Sequence, residues 1–227
     1  MTERKQQLLK LVIEHYIATA EPVGSKFLVD QEELGVSGAT VRNELRDLEE
    51  EGFLTHPHTS AGRIPTDTGY RFYVSELMQV EKIRKAQKEQ FEEITHTIAE
   101  NIMAMKQIAK QLAEFANNAV IIGFGNESVY YTGISNLFAQ PELKDYAQSV
   151  NISVMFDQCE EKLPILYKHI GSEPTVLIGN ENPLGAFCST VVTRMGKNNI
   201  LALVGPVRMD YGKNVGMIEF VHSLFNV

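Results

Sequence analysis

The sequence predicts an α+β fold in three parts. These are a winged helix-turn-helix over 1–78, a linker or dimerisation helix over 79–118, and an α/β sheet domain over 119–227. Three patterns predict it. Helical periodicity punctuated by Gly and Pro fills the first part and runs into a short hairpin. A seven-residue apolar repeat fills the second. From Ala119 onward, short apolar runs alternate with helical segments.

Residues 2–19 place Leu8, Leu11, Val12 and His15/Tyr16 on one stripe, as an amphipathic helix requires. Glu21-Pro22-Val23-Gly24 breaks that helix. Ser25 is positioned to cap a short second helix from Lys26 to about Glu33, and Leu34-Gly35-Val36 reads as the turn. Ser37 then caps a third helix with Val41, Leu45 and Leu48 inward, and Gly52 suits a left-handed cap at its end. Phe53–Thr55 reads as a strand and Thr59–Pro65 as a hairpin or wing. A further helix opens at Thr66 or Asp67 and runs through Tyr70, Val74 and Leu77.

From Val80 to Asn118 the pattern is one long helix, with Lys85 as its candidate break. Phe91, Ile98, Met105 and Leu112 recur every seven residues, and Ile94, Ile108 and Phe115 follow three after three of them. Asn101 fills the remaining slot. Two readings stay open: a helix laid on its own domain, or a dimer-forming helix whose register Asn101 sets. Beyond it, strands are expected at Ala119–Phe124, Val129–Thr132, Ile152–Phe156, Thr175–Ile178, Cys188–Thr193 and Ile200–Val204. Helices are expected around Pro141–Ser149, Glu160–Ile170 and Gly212–Phe225.

Composition narrows the function. The chain has 227 residues, 44% hydrophobic and 22% charged, with net charge -8. That balance argues against non-specific coating of nucleic acid, but the field near a surface depends on where charges sit. No apolar run is long enough for a membrane span, and the polar, helix-like start does not read as a signal peptide. A cytoplasmic location is expected. Cys159 and Cys188 are too few for a disulfide framework or a zinc site and read as small packed residues. His56-Pro57-His58 lacks the converging ligands a metal needs. Asp210 reads as a helix cap, with Arg208 as a pairing partner for it. No catalytic residue, metal or cofactor is expected.

The third helix reads as a DNA reader. Its outer face shows Gly38, Ala39, Arg42, Asn43 and Arg46. Arginine matches guanine and asparagine matches adenine in two-bond geometry. Ser37 and Thr40 sit at the helix start, where free amides take a phosphate. Glu49-Glu50-Glu51 would repel phosphate, so only the first two turns belong in the groove. Residues 1–78 carry 8 basic and 13 acidic side chains, yet no acid lies between Gly52 and Thr66. Within that window Arg63, beside Gly62, suits a minor groove, against the blander reading of a solvated loop charge. Thr59 and Ser60 suit phosphates, and Lys26 is expected to add a sequence-independent contact.

The sequence resembles the bacterial heat-inducible transcription repressors of the HrcA family. Tyr16–Thr19 with Glu21–Ser25, Val41–Glu44 with Leu48-Glu49, and Pro57–Thr66 with Gly69–Tyr73 carry the resemblance in the first part. Gly133–Leu137 with Gln140–Glu142, Glu181–Leu184 and Gly205–Tyr211 carry it later. The resemblance implies a GAF-like C-terminal fold and a homodimeric repressor of chaperone operons. It also implies an inverted-repeat operator and a chaperonin that keeps the repressor active. Family members are usually longer, and the segment missing here resembles their inserted dimerising region. Phe91, Ile98, Met105 and Leu112 are the proposed substitute seam. The alternative is a small-molecule sensor with other target genes. On size alone, one winged helix buries too little DNA for tight specific binding, so two half-sites read by a dimer are expected.

Overall fold

A computed structural model describes residues 1–30, 37–58, 61–97, 102–125, 128–196 and 198–225. The chain divides into two compact units, Met1–Gln79 and Val80–Val227. The class is α+β, with helices in both units and the main sheet in the second.

The first unit begins with α1 (Glu3–Thr19). Thr2 caps it by accepting from the Lys5 amide, and Ala20 ends it in the left-handed region. The buried stripe is Leu8, Leu9, Val12 and Ile13 rather than the expected Leu8, Leu11 and Val12. Leu9 and Ile13 sit one turn apart beside Leu8 and Val12, and both flanks of that line face neighbours. The second helix, α2, runs Ser25–Val29 with Gly24 at its cap position, so Ser25 lies inside the helix instead of capping it. The predicted continuation to Glu33 and the turn at 34–36 fall outside the described residues. The third, α3 (Gly38–Glu50), starts as expected: Ser37 accepts from the Thr40 amide at 3.2 Å. Val41, Leu45 and Leu48 are buried, and Gly52 follows at φ +82°. Two short strands, β1 (Leu54–Thr55) and β2 (Ile64–Pro65), pair antiparallel. Thr66 then caps α4 (Asp67–Phe72), which widens into a π turn over Tyr73–Leu77.

Gly62 has a steric reason. A Cβ there would lie 2.5 Å from the backbone carbon of Val23. Only a bare Cα lets the hairpin approach so closely, and Val23 and Arg63 then exchange both backbone hydrogen bonds at 2.9 Å.

In the second unit the expected single helix is two: α5 (Lys85–Thr97) and α6 (Ile102–Ala116). Phe91 and Phe115 meet edge to face with ring centroids 5.6 Å apart. In one straight helix, 24 residues at ~1.5 Å each would hold them ~36 Å apart. The chain therefore doubles back between them. Phe91, Met105 and Leu112 are buried within their own unit, with Phe91 also against Phe220. They are not a dimer seam on this chain, because the apolar stripe is already covered from within. Ile98 and Asn101 lie outside the described residues.

The sheet comprises β3 (Ala119–Phe124), β4 (Ser128–Thr132), β5 (Thr175–Ile178), β6 (Cys188–Met195) and β7 (Asn199–Pro206). All neighbours are antiparallel, in the order β4-β3-β7-β6-β5. Ala119, Ile121, Val192, Ala202 and Val204 turn to one face. There they meet α7 (Ile134–Phe138), α8 (Tyr146–Asp157) and α9 (Cys159–His169). The alternate residues of the same strands turn to the other face. On that side β6 is bonded to α10 (Tyr211–Phe225) by Ser189 to Tyr211 at 2.8 Å and Thr193 to His222 at 2.7 Å. Both faces are covered, which is why β3 and β7 read as unbroken apolar runs.

The expected strand at Ile152–Phe156 is helical, inside α8. Its buried residues, Ile152, Met155 and Phe156, with Cys159 next, follow the three-and-four spacing of a helix. Asp145 caps it by accepting from the Ala147 amide at 3.0 Å. Asp210 bonds the Lys213 amide at 3.1 Å, the capping role expected of it. Arg208 does not pair with Asp210. It pairs with Glu142 and donates to Gln140 at 3.0 Å, fastening the loop after β7 to the turn before α8. The backbone at Glu81 is likewise fixed on α10: its amide donates to Gly212, and its carbonyl oxygen would lie 1.9 Å from a Cβ on Gly216.

Candidate nucleic-acid interface

The candidate surface is the outer side of α3 and the hairpin that follows it. Ser37 holds the start of α3 open to solvent, with its hydroxyl also 3.0 Å from that of Thr40. Arg42, Asn43 and Arg46 are exposed on one side of the first turns. Arg42 and Asn43 make no side-chain hydrogen bond or ion pair among the described residues. Arg46 is tethered only loosely to Glu50, at 3.8 Å on the open surface. Lys26 is exposed on α2. Thr59 and Ser60 lie outside the described residues.

Electrostatics would work against this surface were the acids of α3 loose, but they are drawn off to its other sides. Arg4 reaches from α1 and donates through Nε to Glu44 at 2.7 Å. Lys5 bridges Asp47 at 3.0 Å and Glu51 at 2.8 Å. The hydrogen bond to Glu44 raises the Arg4 pKa further, and bonds to Glu51 and Asp47 raise that of Lys5. Both groups stay charged throughout the physiological range. What remains outward on the first two turns of α3 is cationic and amide-bearing.

Arg63 does not stand free on the hairpin tip. Its guanidinium bonds Glu49 at 2.7 Å, only 24% of its side chain is exposed, and its Nε is buried without a partner among the described residues. The same Glu49 carboxylate also takes His56. The arginine expected to reach a minor groove is thus held against Glu49, where it braces the hairpin. His56 spends its Nδ1 on Glu49, which competes with the metal role weighed for it, and no cluster of three candidate metal ligands occurs among the described residues.

Sequence reasoning missed Arg4, Lys5, Glu44 and Glu49. Their only signal was indirect. Glu44 falls on the buried side of α3 between Val41 and Leu48, and a buried carboxylate requires a cationic partner. In the second unit Cys159 and Cys188 are buried free thiols. Burial pushes them up to about 11 and about 12, so neither is a ready nucleophile at neutral pH.

Comparison with known proteins gives a consistent result. Residues 72–215, more than half of the chain, match the family model described as the HrcA protein C terminal domain. A heat-inducible transcription repressor HrcA from Acetivibrio thermocellus is 47% identical over 118 residues, covering 48% of this chain and 34% of that protein. One of the same name from Chloroflexus aggregans is 48% identical over 122 residues, covering 53% and 32%. In these matches the chain spans about a third of the relative's length. The Desulforudis audaxviator repressor aligns over 96% of this chain and 95% of its own, at 28% identity. That alignment runs 327 positions against 227 residues here, so the relative carries positions with no counterpart in this chain. A crystal structure described as a hypothetical protein shares the fold at TM-score 0.78 and 16% identity, covering 99% of this chain and 96% of its own.

Proposed function

The chain belongs to the HrcA family, and from that membership we propose that it is a sequence-specific DNA-binding transcription repressor. The first unit acts as a winged helix-turn-helix, with α3 as reader and the β1–β2 hairpin as wing. One observation carries the reading: the exposed, uncommitted Arg42 and Asn43 on a capped α3 whose acids are held by Arg4, Lys5, His56 and Arg63. Arg42 and Asn43 contact base edges and Arg46 supports them. Ser37, Thr40, Thr59, Ser60 and Lys26 hold phosphates. The target genes are those of the heat-shock response, as the relatives' name implies for them.

A single unit of this size reads one half-site, so a homodimer on an inverted repeat is proposed. Phe91, Met105 and Leu112 are committed to the core, so the dimer contact uses another surface. A chaperonin as activating partner rests on the family resemblance alone. The rival reading, a metabolite sensor, draws on a cleft of about 280 Å³ lined by Lys82, Arg84, Glu114, Lys213 and Met217. That volume falls just below the ~300–1,000 Å³ usual for ligand pockets. Selection of bound duplexes from a random pool tests the main reading. Recovery of an inverted repeat supports it, and recovery of no preferred sequence refutes it.

A further inference from the structure

We propose that Glu49 is a positioning residue for DNA recognition: its carboxylate fixes the β1–β2 hairpin against the end of α3 and so sets where the hairpin meets a duplex. The inference rests on the DNA-binding reading above. One oxygen of Glu49 accepts from His56 Nδ1, directly after β1, and the other from Arg63 Nη2 at 2.7 Å, directly before β2. A single side chain thus holds both strands at the ends that enter the connecting loop. Arg63 is fixed a second time through its backbone, which exchanges two hydrogen bonds with Val23. The absent Cβ of Gly62 brings that pairing into contact distance. α3, the hairpin and the segment before α2 are therefore joined at one point, with Glu49 as the anion that His56 and Arg63 share.

The proposal runs against simple charge bookkeeping. The chain is acidic, and deleting one more carboxylate near a phosphate backbone should tighten binding to every sequence. A positioning role predicts the opposite for the preferred sequence, because a loosened hairpin loses its register on the duplex while the general attraction is kept.

The test uses two duplexes in anisotropy titrations at fixed salt. One is the best duplex that the native chain selects from a random pool, and the other is a shuffle of it. Glu49→Ala is expected to weaken binding to the selected duplex about fivefold, the size of one ion-paired contact. Binding to the shuffled duplex stays equal or becomes tighter. Arg63→Ala gives a similar loss, and the double variant is no weaker than either single one, as members of one joint should behave. Glu49→Asp recovers part of the affinity, which a general loss of fold would not allow. Should Glu49→Ala melt below the assay temperature, Glu49→Gln carries the comparison. Tighter binding of Glu49→Ala or Glu49→Gln to both duplexes alike, or losses that add in the double variant, overturns the proposal. Arg42→Ala is the separate control. If it binds the selected duplex as the native chain does, the reader assignment itself fails, whatever Glu49 does.

Discussion

Arg4 and Glu44 lie 40 residues apart in sequence and meet between α1 and α3, the guanidinium Nε donating to the carboxylate at 2.7 Å. Glu44 is only 7% exposed, so this is the bond that lets an acid sit on the inner side of α3. Truncating one partner strands the other. Arg4→Ala should destabilise the first unit, less than for a fully buried pair because the arginine itself is half exposed. Urea unfolding checks it. Replacing Glu44 by Gln in the same chain should recover part of the loss, since an amide is cheaper to leave unpaired there than a carboxylate.

Arg42 and Lys26 should behave differently on DNA. Arg42→Ala is expected to cost about 1–3 kcal/mol and to relax base preference at one position of each half-site. Lys26→Ala should weaken all sequences alike and flatten the salt dependence. Gel-shift titrations at several salt concentrations separate the two.

Met105 is a core residue on α6. Met105→Asp should therefore lower the melting temperature of the second unit by several degrees or prevent its folding. It should not yield a well-folded monomer. Circular dichroism melting read beside light scattering distinguishes these outcomes.

The two thiols give a pH signature. In the unfolded chain each ionises near 9.0, whereas in the folded unit burial holds them neutral to about 11 and about 12. The folded state thus binds more protons above pH 9. Their stabilising contribution is whole below pH 9 and is lost as pH rises through 11 and 12. Replacing both cysteines by alanine should flatten the fall in stability between pH 9 and 11, measured by denaturant titration at each pH.

Gly62→Ala should destabilise the hairpin by about 1–3 kcal/mol, since its Cβ would meet the Val23 backbone, which cannot swing aside like a side chain. Loss of amide protection at Val23 and Arg63 in hydrogen exchange would report it.

Local chemistry made part of this molecule readable. Ser37, Gly52 and Asp210 act where their side chains or φ preferences place them, because caps depend on neighbours within four residues. The outward position of Arg42, Asn43 and Arg46 on α3 could be read because one helix face needs no knowledge of the rest. What failed was tertiary. The run Ile152–Phe156 has the β-branched content of a strand, yet burial at a helical interval decided its form. The repeat through Phe91 and Leu112 fits a continuous helix equally well until Phe115 is seen against Phe91. Arg63 looked available because Glu49, fourteen residues earlier, gives no sign in sequence of reaching back to it.

The pairing of β3 with β7 also bears on how the protein is made. Ala119 finds its neighbour Val204 only after most of the second unit has been synthesised. Until then the β3–β4 hairpin is an apolar ribbon with one side of its hydrogen-bonding pattern unmet. Such late, long-range closure is slow and exposes sticky surface to other nascent chains. Yield on translation should thus fall with rising temperature before the finished fold itself begins to melt.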